Sequence, residues 1–127
     1  MSQTEALPSI ILCTLNAKFI HASLGLRYLM ANMARHGSPQ LAQRTALIEF
    51  TLARQTQDMV HELLQQLGPV RADQAQIIGF GVYIWNVIQT TELVRALKIQ
   101  RPELKIVLGG PEVSHETESQ EIVRLSD

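Results

Sequence analysis

Four short apolar runs at regular spacing limit what this chain can fold into. They are Ser9 to Leu15 (SIILCTL), Ala46 to Phe50 (ALIEF), Ile77 to Ile84 (IIGFGVYI) and Lys105 to Leu108 (KIVL). Three are nearly continuous in hydrophobicity rather than alternating, which is the pattern of strands covered on both faces and hence of a parallel sheet. Amphipathic stretches separate them. Ser23 is placed to cap a first helix with Leu26, Leu29, Met30 and Met33 on its inner face, stopped by Gly37 and Pro39. Thr56 opens a second, with Met59, Val60, Leu63, Leu64 and Leu67 as its stripe and Gly68-Pro69 at its end. A third starts at Asn86, with Gln89 in the manner of a capping box; it buries Val87, Val94 and Leu97 and ends before Pro102. A fourth begins near Ser114, where Glu116 and Glu118 suit the positive end of a helix dipole.

The resulting βαβαβαβα order requires right-handed crossovers and a parallel sheet with helices on both faces. The expected fold is an α/β, flavodoxin-like (Rossmann-like) three-layer sandwich with sheet order 2-1-3-4. Such sheets bind ligands outside the carboxyl ends of their strands, at the switch point between strands 1 and 3. The loops of interest are therefore Asn16 to Ala22, Gly81 to Asn86 and Gly109 to Ser114. A flavodoxin-like sheet normally has a fifth strand. Residues 1–127 are accordingly read as one domain, the N-terminal part of a longer protein with the fifth strand lying beyond Asp127. Without that strand, strand 4 is an open edge, which invites self-association through Ile106-Val107-Leu108, expected to be lost when the fifth strand is present.

Composition removes several classes of function. Eleven basic and twelve acidic residues nearly cancel, so the basic excess of a nucleic-acid binder is absent. No apolar run reaches the roughly 18 residues of a membrane helix. The segment Met1 to Pro8 has no basic start, so a cytoplasmic location is the default expectation. Cys13 is the only cysteine, which excludes a disulfide framework or an all-cysteine metal site within one copy.

The loops also exclude the usual occupants of this architecture. After strand 1 the chain reads Asn16-Ala17-Lys18-Phe19-Ile20-His21, with none of the glycines of a dinucleotide fingerprint and too few hydroxyls for a flavodoxin phosphate loop. Asn16, Gly81 and Asn86 stand where a phospho-receiver needs acids. No nucleophile–base pair falls within any one loop, so no catalytic residue is assigned. Gly79-Phe80-Gly81 fits either close approach of a flat ligand or tight helix-on-sheet packing. Gly109-Gly110 removes side chains where a ligand would enter, although a plain turn uses Gly-Gly-Pro as well. Tyr83 and Trp85 are either a stacking surface for a macrocycle or base, or core and rim residues. Lys18 and Arg27 are read as solvated. His36 and His61 are read as solvent-facing on helices, and His115 as a residue at a helix start. His21 is read as a structural hydrogen-bonding residue rather than a metal ligand, and Cys13 as buried and inert.

Three segments carry a resemblance. They are Thr14 to Leu29 (TLNAKFIHASLGLRYL), Gly79 to Asn86 (GFGVYIWN) and Val107 to Ser114 (VLGGPEVS). Together they resemble the N-terminal cobalamin (B12)-binding domain of radical S-adenosylmethionine proteins, and they cover all three ligand-side loops. The resemblance implies a domain that holds a corrinoid at the carboxyl edge of its sheet. The pocket would be shaped by Gly81, Tyr83, Trp85, Gly109 and Gly110, with Asn16, Ser23, Asn86, Pro111 and Glu112 around it. It implies a following barrel with S-adenosylmethionine and an iron–sulfur cluster as the domain's partner. The cluster motif Cys-x-x-x-Cys-x-x-Cys is absent from these 127 residues, so that chemistry belongs outside them. Many such domains carry Asp-x-His-x-x-Gly after strand 1, and Asn16-Ala17-Lys18 departs from it; cobalamin bound without a protein histidine on cobalt is the expectation. The Ser-x-Leu element expected after strand 3 is replaced by Gly81-Val82-Tyr83. The alternative is a docking or scaffold domain of the same fold that has lost the corrinoid.

Overall fold

The structure is a computed structural model that describes residues 7–16, 29–110 and 121–127. Its centre is a four-stranded, all-parallel sheet in the order β2-β1-β3-β4. The strands are β1 (Ile10–Asn16), β2 (Thr45–Thr51), β3 (Ile77–Gly81) and β4 (Lys105–Gly109). The expected fold class and strand order hold, including the flavodoxin-like reversal at β1 and β3. Every residue of β1 is buried, because it is flanked by strands on both sides and covered on both faces.

Helices α1 (Pro39–Gln43), α2 (Thr56–Leu67), α3 (Val87–Gln100) and α4 (Glu121–Leu125) complete the described elements, with a helical segment over 29–37 whose last five residues, Met33–Gly37, form a π-helical turn. The sequence reading stopped the first helix at Gly37 and Pro39. Pro39 instead opens α1: it takes the first helical position, where its missing N–H costs nothing, and Ser38 Oγ accepts a hydrogen bond from Leu41 N at 3.0 Å. The reading also carried β3 to Ile84. The strand ends at Gly81, because after Val82 N donates to Gly109 O the Tyr83 N–H is captured by the Asn86 side chain. Helix α3 begins at Val87 with Asn86 in the cap position, but that side chain caps no helical N–H, so the expected capping box does not form.

The two faces of the sheet are covered unequally. Ile11, Cys13, Leu15, Ile78, Phe80 and Ile106 face a large core closed by Met59, Val60, Leu63 and Leu67 of α2, Leu93, Val94 and Leu97 of α3, and Ile122 of α4. Each fully buried aliphatic chain contributes roughly 1.5–3 kcal/mol relative to exposure. An exposed ion pair, Arg95–Glu121, joins α3 to α4. On the opposite face the buried hydrophobic cluster among the described residues is small, Ile10 and Leu12 packed by Met30, Met33, Leu41, Leu47 and Ile77. Leu29, expected on the inner face of the first helix, is 47% exposed. His61 is exposed as expected, while the side chain of His36 lies outside what is described. Cys13 is fully buried, and burial, reinforced by Glu62 and Glu49, pushes its thiol far above the ordinary range, consistent with an inert core residue.

At the outer edge of β4, Asp127 N donates to Ile106 O and Ile106 N donates to Asp127 Oδ2, both at 2.9 Å. Lys98 Nζ donates to the same carboxylate oxygen at 2.9 Å. The hydrogen bond from Lys98, then that from the Ile106 amide, holds the Asp127 carboxyl below the usual carboxylate range. A depressed carboxyl pKa stabilises the fold above the unfolded value, and that contribution is lost as pH falls through the folded value. The amide protection factor of Ile106 should therefore be constant above about pH 4 and fall below it. Hydrogen exchange followed by NMR checks this, and protection unchanged down to acid unfolding would refute it.

Candidate functional site

Strand register determines which side chains share the thinly covered face. Leu47, Leu12, Gly79 and Val107 form one row across the sheet, and Glu49, Thr14, Gly81 and Gly109 form the next toward the carboxyl ends. On β3 and β4 this face is therefore nearly bare, with three glycines and one valine in four positions. Above the bare floor lies a cavity of about 450 Å³. Ile10, Leu12 and Ile77 form its inner wall, Leu29 and Met33 its roof, and Val107 and Tyr83 its outer margins. None of the described residues lining it is charged.

The glycines play different parts. A Cβ on Gly79 would sit 3.3 Å from Leu12 Cδ2, so that glycine serves close packing. Gly110 has φ +108°, and a Cβ there would collide with the backbone of Val82, so that glycine serves the turn. A Cβ on Gly109 would meet no described residue within 4 Å. Gly109 alone of these three leaves space that no described neighbour fills.

Asn86 is fully buried and ties the carboxyl ends of β1 and β3 together. Its Nδ2 donates to Leu15 O at 3.0 Å and Gly81 O at 3.2 Å, and its Oδ1 accepts from Tyr83 N at 2.8 Å. Both amide hydrogens end on protein backbone, so Asn86 shapes the mouth rather than reaching into it. Thr14 Oγ1 adds a bond to Gly81 O at 3.3 Å. Asn16 Nδ2 donates to Glu49 Oε2 at 3.3 Å, placing an amide–carboxylate pair at the carboxyl end of β1 and β2.

Tyr83 and Trp85 stack on each other with centroids 4.6 Å apart and planes 1° from parallel. Tyr83 faces the cavity and Trp85, half exposed, backs it. Neither is a core residue. Ile84 and Ile88 beside them are 76% and 70% exposed, giving the mouth an apolar lip.

Of the residues singled out from sequence, the structure brings Gly81, Tyr83, Gly109 and Gly110 to one cavity. Trp85 lies behind Tyr83, Asn86 beneath the loop, and Asn16 one row beyond the cavity at the strand end. Ser23, Pro111 and Glu112 lie outside the described residues, as do Lys18, His21, Arg27 and His115. Sequence reasoning missed Ile10, Leu12, Met33, Ile77 and Val107 as walls. For Ile10, Leu12, Ile77 and Val107 the signal was their common face along parallel strands, which becomes readable only once the register is known.

Among the described residues, no three His, Cys, Asp or Glu side chains come together as a metal site, and no helix is long and apolar enough to cross a membrane. No protein-family model matches the chain, and no curated protein matches it in sequence.

The Asn86 tie makes a direct prediction. Asn86→Ala leaves Tyr83 N and Leu15 O without the partners they have here, and leaves Gly81 O with Thr14 Oγ1 alone; each buried group left unpaired costs about 1–3 kcal/mol. Denaturant unfolding should show a destabilisation of roughly 2–4 kcal/mol. A change below about 0.5 kcal/mol, the level of an ordinary surface substitution, would show that the tie is dispensable.

Proposed function

We propose that this chain is a cobalamin-binding module, seating a corrinoid at the carboxyl edge of its sheet on behalf of a radical S-adenosylmethionine enzyme. The observation that carries the reading is the glycine-floored slot over β3 and β4, uncharged among the described residues, with space beside Gly109 that no described residue fills. Its position at the carboxyl ends of the strands is the one the resemblance implies. An apolar slot of about 450 Å³ is large enough for a bicyclic aromatic base but too small for a whole corrinoid. The nucleotide arm of the cofactor would enter the slot, and the macrocycle would remain over the strand ends.

In this assignment Leu12, Val107 and Met33 exclude water from the arm, and Gly109 gives it room. Tyr83, braced by Trp85, forms a flat side wall. Asn86 holds the β3 loop in place, while Asn16 and Glu49 offer polar groups at the rim. When bound, the corrinoid would supply its cobalt chemistry; the chain's own residues bind and orient it. Substrate and reaction belong to the partner domain that carries the iron–sulfur cluster.

The exposed lip of Ile84, Trp85 and Ile88 favours a second reading, in which the domain docks on a catalytic partner without a corrinoid. Mixing with hydroxocobalamin followed by desalting separates the two. A binder should retain the cobalamin absorption, and its absence would leave the docking reading. Gly109→Leu fills space that no described residue occupies, so it should weaken uptake by about tenfold or more while the circular dichroism stays native. An unfolded variant would instead assign Gly109 to packing.

The departure from Asp-x-His after β1 yields a further expectation. A histidine on cobalt needs a partner orienting its other ring nitrogen, and Asn16-Ala17-Lys18 supplies neither the histidine nor the carboxylate. His21→Ala should leave the visible spectrum of the loaded protein unchanged. A shift of the cobalt bands in that variant would overturn the expectation.

A further inference from the structure

The slot has its mouth at the carboxyl ends of the strands, beside Gly109 and Gly110, and an inner end two rows below, where Ile10 and Ile77 stand side by side. Leu12 lies between, opposite Gly79. A group that enters from the mouth therefore sets its leading edge against Ile10, Leu12 and Ile77. The polar atoms around this end are already engaged. Ile10 N donates to Arg44 O at 3.0 Å, and Ile77 N donates to Ser9 O at 2.9 Å. β1 and β3 each have a strand on both sides, so their other backbone groups belong to the ladder. Thr45, beside Ile10 in the same row, donates its hydroxyl hydrogen to Leu41 O at 2.8 Å. Lys105, at the other end of that row, is exposed and is not among the described lining residues.

We propose that Ile10, Leu12 and Ile77 make the slot selective for a bicyclic aromatic base whose leading edge is carbon, dimethylbenzimidazole being the type, over a purine. The inference rests on the corrinoid reading above, which puts the base of the nucleotide arm in the slot, and corrinoids differ in that base. A benzimidazole joined to the arm through its five-membered ring leads with a carbocycle, and its two methyl groups fall on aliphatic side chains. Adenine joined in the same way leads with an exocyclic amine and ring nitrogens. At the inner end those groups would give up water and meet aliphatic carbon and backbone already paired.

The two ring systems are close in outline, so shape admits both and the leading edge separates them. The roof does not separate them either, because the unbranched thioether of Met33 settles on the flat face of both rings. Apolar walls discriminate against an added polar group by about a hundredfold at most. The expected behaviour is a graded preference rather than exclusion.

Equilibrium dialysis of the full chain against two corrinoids that differ only in the base, dimethylbenzimidazole or adenine, tests this. Excess cyanide takes the base off cobalt in both, so that each is free to enter the slot. The dimethylbenzimidazole form should bind tighter by about tenfold or more. Equal affinity, or preference for the adenine form, overturns the inference and leaves corrinoid binding intact. Binding of neither overturns the corrinoid reading instead, and the slot is then decided with the free bases. Titrated at matched concentrations, dimethylbenzimidazole should shift the methyl resonances of Leu12 and Ile77 and adenine should not; equal shifts, or none from either base, overturn the inference. Ile77→Thr keeps a β-branched strand residue and places a hydroxyl at the inner end. It should reduce the preference by about threefold or more while the circular dichroism stays native. An unchanged preference in the folded variant would overturn the assignment of selection to this end, and the wild-type comparison decides if the variant does not fold.

Discussion

In a parallel sheet every connection must cross one of the two faces, so the number of crossovers on each side decides what is covered. Here α2, α3 and α4 all lie on one face, and the 29–37 segment with α1 lies on the other. The first face becomes a continuous core from Phe50 to Ile122. Among the described residues, the second is covered over β1 and β2 and less covered over β3 and β4, where the slot lies. The residues of that half comply with it, since Gly79, Gly81 and Gly109 carry no side chain and Val107 is the exposed large apolar one.

A bare floor is useful only if its mouth holds its shape, and that task falls to buried polar groups. Asn86 spans from β1 to β3 through three hydrogen bonds to backbone, while Thr14 supplies a fourth link to Gly81. Backbone groups at strand ends have no ladder partners, and buried ones must find substitutes. A single amide with two donors and an acceptor satisfies three of them at once. The same tie fixes the start of α3 and the direction of Tyr83, so the aromatic pair is positioned by the residue beneath it.

The sheet was legible in the sequence because short apolar runs alternating with helical stripes admit few topologies, and glycine and proline marked most boundaries. Failures occurred where a side chain overrides propensity. Ile84 extends an apolar run, yet Asn86 captures the Tyr83 N–H and ends the strand earlier. Pro39 reads as a stop, yet with Ser38 before it the same residue starts a helix. Among the glycines, sequence marks position but not purpose. Gly79, Gly109 and Gly110 look alike until the space beside each is known, and then they divide into packing, room and turn. The aliphatic walls were invisible because Leu12 and Val107 are unremarkable strand residues until register aligns them across Gly79.

The apolar character of the slot's described lining has a consequence for an occupant. None of those residues is charged, so a charged group set against them would lose its hydration without a counter-charge from them. An apolar, flat portion suits this floor, with polar groups kept toward the strand ends. At those ends stand Asn16 and Glu49, joined to each other and adjoining the glycine row. Thus the slot fixes orientation by exclusion and the rim fixes it by hydrogen bonding, with selectivity resting on shape.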